Sequence, residues 1–321
     1  MIRTLVIPRP FDVDRFLASL AEKRGRTIKL IRGRLAADRP FGMLISTAEI
    51  DYIYGADNLP LLQFQHTVMH EVGHLLLGHF PANSGSDGAP RVAGDDVLQL
   101  LLPTLSPALV RRILGRTVHE SAQEREAELF ASLVLSRVTS ARNTHTRHGP
   151  TPRDDLIAQK TLFDYRARRQ VRQATRLLSP LWRRMIADVP QVRLDDIDEG
   201  ALHRAERAQY RLYRRVMEIR DAQVLLRPHI PPGIPERVST AADKRELDPV
   251  DADILREAAE LHAALAAYRA GKQHHLDVVD VVGPRYSSTA PDLLTEARRL
   301  IRVSTALREG SVGTSRCRWR P

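Results

Sequence analysis

Two histidines four residues apart, with a glutamate directly after the first, stand at His70-Glu71-Val72-Gly73-His74. On a helix, residues i and i+4 share a face one turn apart, so His70 and His74 can present two imidazoles to one metal ion. Glu71 is rotated ~100° from His70, which directs its carboxylate to a water on the metal rather than to the metal. Zinc (Zn2+) lowers the pKa of such a water. A neighbouring carboxylate can take the proton and later pass it to a leaving amine. That is the physical content of the zincin pattern. In a chain with 12 His and 16 Glu, chance placement produces it about 0.02 times. The flanking Val68, Met69, Val72, Leu75, Leu76 and Leu77 are apolar, so the motif belongs on a buried helix, where paired histidines need a partner.

Two histidines leave a zinc site one protein ligand short. His79 does not fit the metzincin spacing and reads as a helix-end or supporting residue. The segment from Glu120 to Leu135 supplies four glutamates, and helical phase sorts them. Glu124, Ala127, Glu128, Ala131 and Val134 share one face; Glu126, Phe130 and Leu133 share another. Glu124 is therefore the expected third ligand. Glu128, one turn on, can accept a hydrogen bond from a ligand histidine's second nitrogen. Glu126 reads as a solvated helix charge. Peptide hydrolysis also needs an oxyanion donor, for which Tyr52, Tyr54 and His119 are candidates.

The elements that must position these residues follow from periodicity and turn chemistry. Residues 12–24 read as a helix with Asp12 as N-cap, ended by Gly25. Residues 27–31 and 42–54 read as strands separated by a turn at Asp38-Arg39-Pro40. The second strand is a reasonable edge for a substrate held as an added strand. A loop at 56–60 leads into a helix over 61–79. Residues 81–96 read as a surface loop, 97–102 and 108–114 as short apolar helices, and about 119–138 as a long helix.

Beyond a basic, proline-containing stretch the pattern is helical at 154–186, 201–226, 251–270 and 291–308. Proline breaks occur at 227–235, and 276–282 reads as a short strand. The expected fold class is α+β: a mainly helical domain with a small sheet over 1–140, then a basic linker at 141–160. An all-α regulatory or interaction domain over 161–310 and a disordered tail at 311–321 complete it.

The run His70-Glu-Val-Gly-His74-Leu-Leu-Leu-Gly-His79, followed by Glu124-Arg-Glu-Ala-Glu128-Leu-Phe-Ala-Ser-Leu, resembles the ImmA/IrrE family of bacterial metallopeptidases. The resemblance covers roughly residues 20–140 and includes Ile50–Tyr54 and Asn58-Leu-Pro60. Two departures stand out: Glu128 occupies the usual Asn or Asp position, and Ser136-Arg137 replaces the usual Met-Pro. The resemblance implies a gluzincin-like site in a limited, regulatory protease. Its implied substrate is a helix-turn-helix transcriptional repressor, and its implied setting is transcription regulation in a stress response.

Residues 176–237, with Trp182 and the run Tyr210–Asp221, resemble the soluble C-terminal region of certain actinobacterial multi-pass membrane proteins of uncharacterised function. That weaker match, over about 160–310, implies a module that binds a regulatory protein or ligand.

Composition narrows the classes. The chain has 321 residues, 49 Lys+Arg against 39 Asp+Glu, and 43% hydrophobic residues, enough for packed cores. No apolar run approaches the ~18 residues of a membrane span. The N-terminal stretch lacks the pattern of a secretory signal, and the one cysteine, Cys317, excludes an internal disulfide; a reducing cytoplasm is the expected compartment. The net charge of +10 is uneven: residues 1–140 carry +1, whereas the window 142–184 alone carries +8. Arg166, Arg168, Arg169, Arg172 and Arg176 fall on one helical face there. They could contact nucleic acid, although a solvated face or a dock for an acidic protein is the commoner outcome.

Overall fold

The computed structural model describes residues 5–8, 10–33, 41–47, 49–57, 59–79, 121–142, 153–193, 204–243, 246–274 and 293–308. The chain divides into two compact units, one comprising 1–59 and 64–138 and the other 60–63 and 139–321. Among the described residues, no helix is long and apolar enough to cross a membrane. The α+β class expected from the sequence holds: helices dominate, with one small mixed sheet.

The first unit begins with helix α1 (Val13–Arg24). Asp12 accepts a hydrogen bond from the Arg15 amide at 2.8 Å, satisfying a donor that the first turn would otherwise orphan. Val13, Phe16, Leu17 and Leu20 form its buried stripe. Gly25, at φ +63°, ends it in the left-handed region where a side chain is costly. Strand β1 (Thr27–Gly33) then pairs in parallel with β3 (Ile50–Ala56), and β2 (Gly42–Ser46) pairs antiparallel with β3, giving the order β1-β3-β2.

The single strand expected over 42–54 is thus a hairpin. Thr47 makes the reversal, its amide and hydroxyl both donating to the Ile50 carbonyl while its hydroxyl accepts from the Ile50 amide. Neither Gly nor Pro marks this turn, which is why alternation read through it. The consequence is functional: β3 is central, while β2 lies at one edge and β1 at the other, so within the hairpin it is β2 and not β3 that can receive an added strand.

Asp51, 1% exposed on β3, is held by Ser46 Oγ at 2.7 Å and by Arg26 Nε at 3.0 Å. Side chains alternate across β3. Gly55 faces Phe64 and Val68 of helix α2 (Leu61–Leu77), while Tyr54 belongs to a small cluster with Ile31, Met43 and Tyr52. Helix α3 (Ser121–Arg142), the last described helix of this unit, buries Ala127, Phe130, Ala131, Val134 and Leu135.

The second unit is helical among its described residues: α4 (Arg153–Asp188), α5 (Arg204–Leu226), α6 (Ile234–Asp243), α7 (Pro249–Arg269) and α8 (Leu293–Arg308). Its core is built from Leu178, Leu181, Met185, Leu212, Tyr213, Val216, Ala258, Leu265, Ala297 and Leu300. Helix α4 occupies the segment read as helical over 154–186. One expectation needs correction. Residues 234–243, the end of the expected proline break and beyond, form α6, because Ile234-Pro235 occupies the first turn, where a missing amide hydrogen costs nothing. The expected helices at 97–102 and 108–114, the loop at 81–96, the strand at 276–282 and the tail at 311–321 lie outside the described residues.

Candidate metal centre

Helix α2 aligns His66, His70 and His74 along one stripe, four residues apart, while Val68, Met69, Val72 and Leu75 bury its other faces. The two expected histidine ligands meet: His70 Nε2 and His74 Nε2 are 3.0 Å apart. The carboxylate of Glu124, from α3, reaches both, with 3.3 Å to His70 Nε2 and 3.6 Å to His74 Nε2. Donor atoms of the three residues lie within 4.8 Å of one another. Two ligand atoms ~2.0–2.1 Å from a tetrahedral zinc are ~3.3 Å apart, so this donor set has the spacing and chemistry that zinc requires.

The approach of α3 to α2 depends on Gly73. A Cβ there would lie 2.9 Å from Ala127 Cα and 3.1 Å from its carbonyl oxygen. Glu124 precedes Ala127 by three residues and Glu128 follows it, so this contact sets the depth at which both carboxylates meet the histidines. Gly73→Ala is expected to force the helices apart, lowering stability by about 1–3 kcal/mol and weakening metal binding. Denaturant unfolding and a metal titration of the same variant check both effects.

A hydrogen-bonded shell orients the rings. The α2 C-terminus closes with Gly78 at φ +71°, and the His79 amide donates to the His74 carbonyl at 3.0 Å, the long bond of a Schellman turn. That reversal carries the His79 ring back to His74, with Nδ1 to Nδ1 3.2 Å apart, and His79 Nε2 donates to Glu126 Oε2 at 3.0 Å. With its Nε2 proton on Glu126, His79 accepts at Nδ1 the proton of His74 Nδ1, which leaves the His74 Nε2 lone pair for a metal. Glu126 is 61% exposed, as expected of a solvated helix charge, and in addition supports His74 through His79.

Glu128 Oε2 stands 3.6 Å from His70 Nδ1, an ion-pair distance longer than the hydrogen bond expected there. The same oxygen accepts a 2.8 Å hydrogen bond from His66 Nε2, and Ser132 donates to the other oxygen. Burial pushes the Glu128 carboxyl up, but His66 and His70 outweigh it and hold it well below the usual carboxylate range. His66 has a role that no ligand motif assigns. Its place four residues before His70 was the available signal.

Glu71 is buried with its carboxylate against β2. A Cβ on Gly42 would fall 2.7 Å from Glu71 Oε1, and the Leu44 backbone contributes a hydrogen bond. Burial pushes Glu71 up to about 7, opposed by His70 and reinforced by Glu124. His70 sits at about 10, because hydrogen bonds to Glu124 and Glu128 and the charge of Glu71 outweigh its own burial. Three carboxylates around one imidazole form a site whose charge favours a cation.

The oxyanion candidates are not brought into this cluster. Tyr52 and Tyr54 pack with Ile31 and Met43, alternating with the residues of β3 that meet α2. His119 lies outside the described residues.

Over residues 165–309 the chain matches the model of a family of unknown function, DUF6545. The match begins within α4 and ends just past α8, so it covers helices of the second unit and none of the metal-ligand cluster. No curated protein and no solved structure matches the chain.

In the second unit, Arg168, Arg169, Arg172 and Arg176 are exposed and line one shallow surface of α4 with Gln173. The side chain of Arg166, expected on the same face, lies outside the described residues.

Proposed function

We propose that the chain is a zinc-dependent endopeptidase that makes limited cuts in a protein substrate. The observation that carries this reading is the convergence of His70, His74 and Glu124 from two helices, with Glu71 buried beside them. His70 Nε2, His74 Nε2 and a Glu124 oxygen would hold the ion and leave one position open, as hydrolytic zinc sites require. Zinc, when bound, supplies Lewis acidity, making water more acidic and polarising a carbonyl.

The chain supplies the rest. Glu71 accepts the proton of the attacking water and delivers it to the departing amine. His79 bonds to the outer nitrogen of His74, and the Glu128 carboxylate faces that of His70 at 3.6 Å, which orients both imidazoles. Edge strand β2, on which Glu71 rests, is placed to pair with an extended substrate segment and carry its carbonyl past the general base. The ImmA/IrrE resemblance suggests a helix-turn-helix repressor as substrate.

Metal analysis of the purified full chain tests the reading. Wild type is expected to carry about one equivalent of zinc and His74→Ala less than about a tenth, since losing one of three ligands removes most of the affinity. A wild-type zinc content unaffected by His74→Ala overturns it.

The four exposed arginines of α4 favour a second, additional reading: docking of an anionic partner, acidic protein or nucleic acid. Affinity for duplex DNA that falls steeply with salt would assign the face to nucleic acid, and no binding near 100 mM salt would remove that assignment.

A further inference from the structure

We infer that a hollow in the second unit, floored by Arg227, binds a small organic carboxylate with an apolar body. Arg227 opens the 3-10 turn Arg227–His229 that follows α5. It is 7% exposed, and its Nη1 is buried with no hydrogen-bond partner. The contrast with Arg220 is informative. That side chain is also buried, at 3% exposed, but its three nitrogens are all engaged: Nε and Nη2 by Glu296, and Nη1 by Glu257 at 2.6 Å and Gln223 at 2.6 Å.

The nearby carboxylates cannot serve Arg227. Glu257 accepts from Arg220, Gln223 and Arg299, and Glu296 from Arg220. Glu260 faces the hollow without forming an ion pair to Arg227, and burial pushes its carboxyl up to about 7, which weakens it as a counter-charge. Burial likewise pushes Arg227 down to about 9, the mark of a cation short of partners. A buried guanidinium does not discard its proton easily, and Gln63 Oε1, an unpartnered acceptor lining the same hollow, makes no hydrogen bond to it, so an acceptor from outside can satisfy it.

The hollow has room for a few water-sized groups, about 40 Å³, opens to solvent on one side, and is lined on its apolar side by Leu226, Ile230, Leu261 and Ala264. The guanidinium fork matches a carboxylate in a bidentate pair. Those aliphatic walls suit a short branched or cyclic hydrocarbon. Glu257 and Glu260 at the same hollow disfavour a dianion such as phosphate, and Arg220 disfavours a cation. The turn itself is preorganised, because His229 Nδ1 donates to the Lys272 carbonyl at 2.6 Å and the His274 amide donates to the Pro228 carbonyl at 2.6 Å.

The test is calorimetric titration of the full chain with isovalerate, with isovaleramide and inorganic phosphate in parallel. Saturable isovalerate binding is expected, at least about tenfold tighter than the amide, which has the same shape without the charge. Arg227→Gln is expected to weaken isovalerate at least about tenfold, and Arg227→Lys, which keeps the charge and loses the fork, to weaken it as well. If Arg227→Gln does not fold, the Arg227→Lys titration and the wild-type comparison of acid with amide decide the matter. No saturable isovalerate binding, equal binding of the amide, preferential binding of phosphate, or a folded Arg227 variant that binds undiminished overturns the inference.

Discussion

Glu71→Gln is expected to lower peptide hydrolysis about 10²- to 10⁴-fold, the usual range for removal of a general base, while zinc stays near one equivalent. The two readouts separate because Glu71 is not among the three converging donors, whereas it lies against the strand on which substrate would be laid. Glutamine keeps the volume beside Gly42 and loses only the ability to take a proton. Cleavage of a fluorogenic peptide library, with metal analysis on the same preparation, measures both. Hydrolysis unchanged in the variant would assign the metal a non-catalytic role. The protein would then be a sensor or scaffold that keeps the site without the reaction.

The second large effect lies in the helical unit. Arg220→Met is expected to destabilise that unit by about 3–5 kcal/mol, the cost of stranding buried carboxylates by removing their shared partner. Arg220, Glu257 and Glu296 are each 3% exposed, and Arg220 bonds to both carboxylates. Burial pushes Glu257 up, but Arg220 and Arg299 overcome it, so its carboxyl titrates below the ordinary carboxylate range when folded.

A group with a depressed folded-state pKa stabilises above its unfolded pKa and loses that contribution as pH falls through the folded value. The gap between wild type and Arg220→Met is therefore full at neutral pH and narrows as the pH falls through the depressed folded-state pKa of Glu257. Urea unfolding across that range measures it. Adding Glu296→Leu to Arg220→Met should recover part of the loss, because an apolar replacement removes one of the stranded charges. A single variant as stable as wild type at neutral pH would mean that the network contributes nothing.

Much of the candidate site was legible because its geometry is local. The i, i+4 spacing of His70 and His74 and the offset of Glu71 are properties of any helix, and the apolar flanks declare one. The cap at Asp12 and the helix ends at Gly25 and Gly78 are equally local. The hairpin was missed because its turn is made by the Thr47 side chain rather than by Gly or Pro. Glu126 is exposed as read, but its bond to His79 was not legible, because an exposed glutamate looks the same in sequence whether or not a histidine 47 residues away has been turned towards it. The Arg220 network joins residues 37 and 76 apart, and in sequence each reads as a solvated helix charge.

The amino-acid sequence by itself determined the helix that carries His70, Glu71 and His74, and the phase that set Glu124 and Glu128 on one face. Secondary-structure periodicity depends on near neighbours alone. Only the tertiary structure decided that α3 comes close enough at Gly73 and Ala127 for Glu124 to reach both imidazoles, and that Glu71 rests on an edge strand. It also decided which of two buried arginines, Arg220 and Arg227, finds its carboxylates. Those outcomes turn on contacts between distant segments, where the room left by a missing Cβ or the reach of one side chain settles which charges meet.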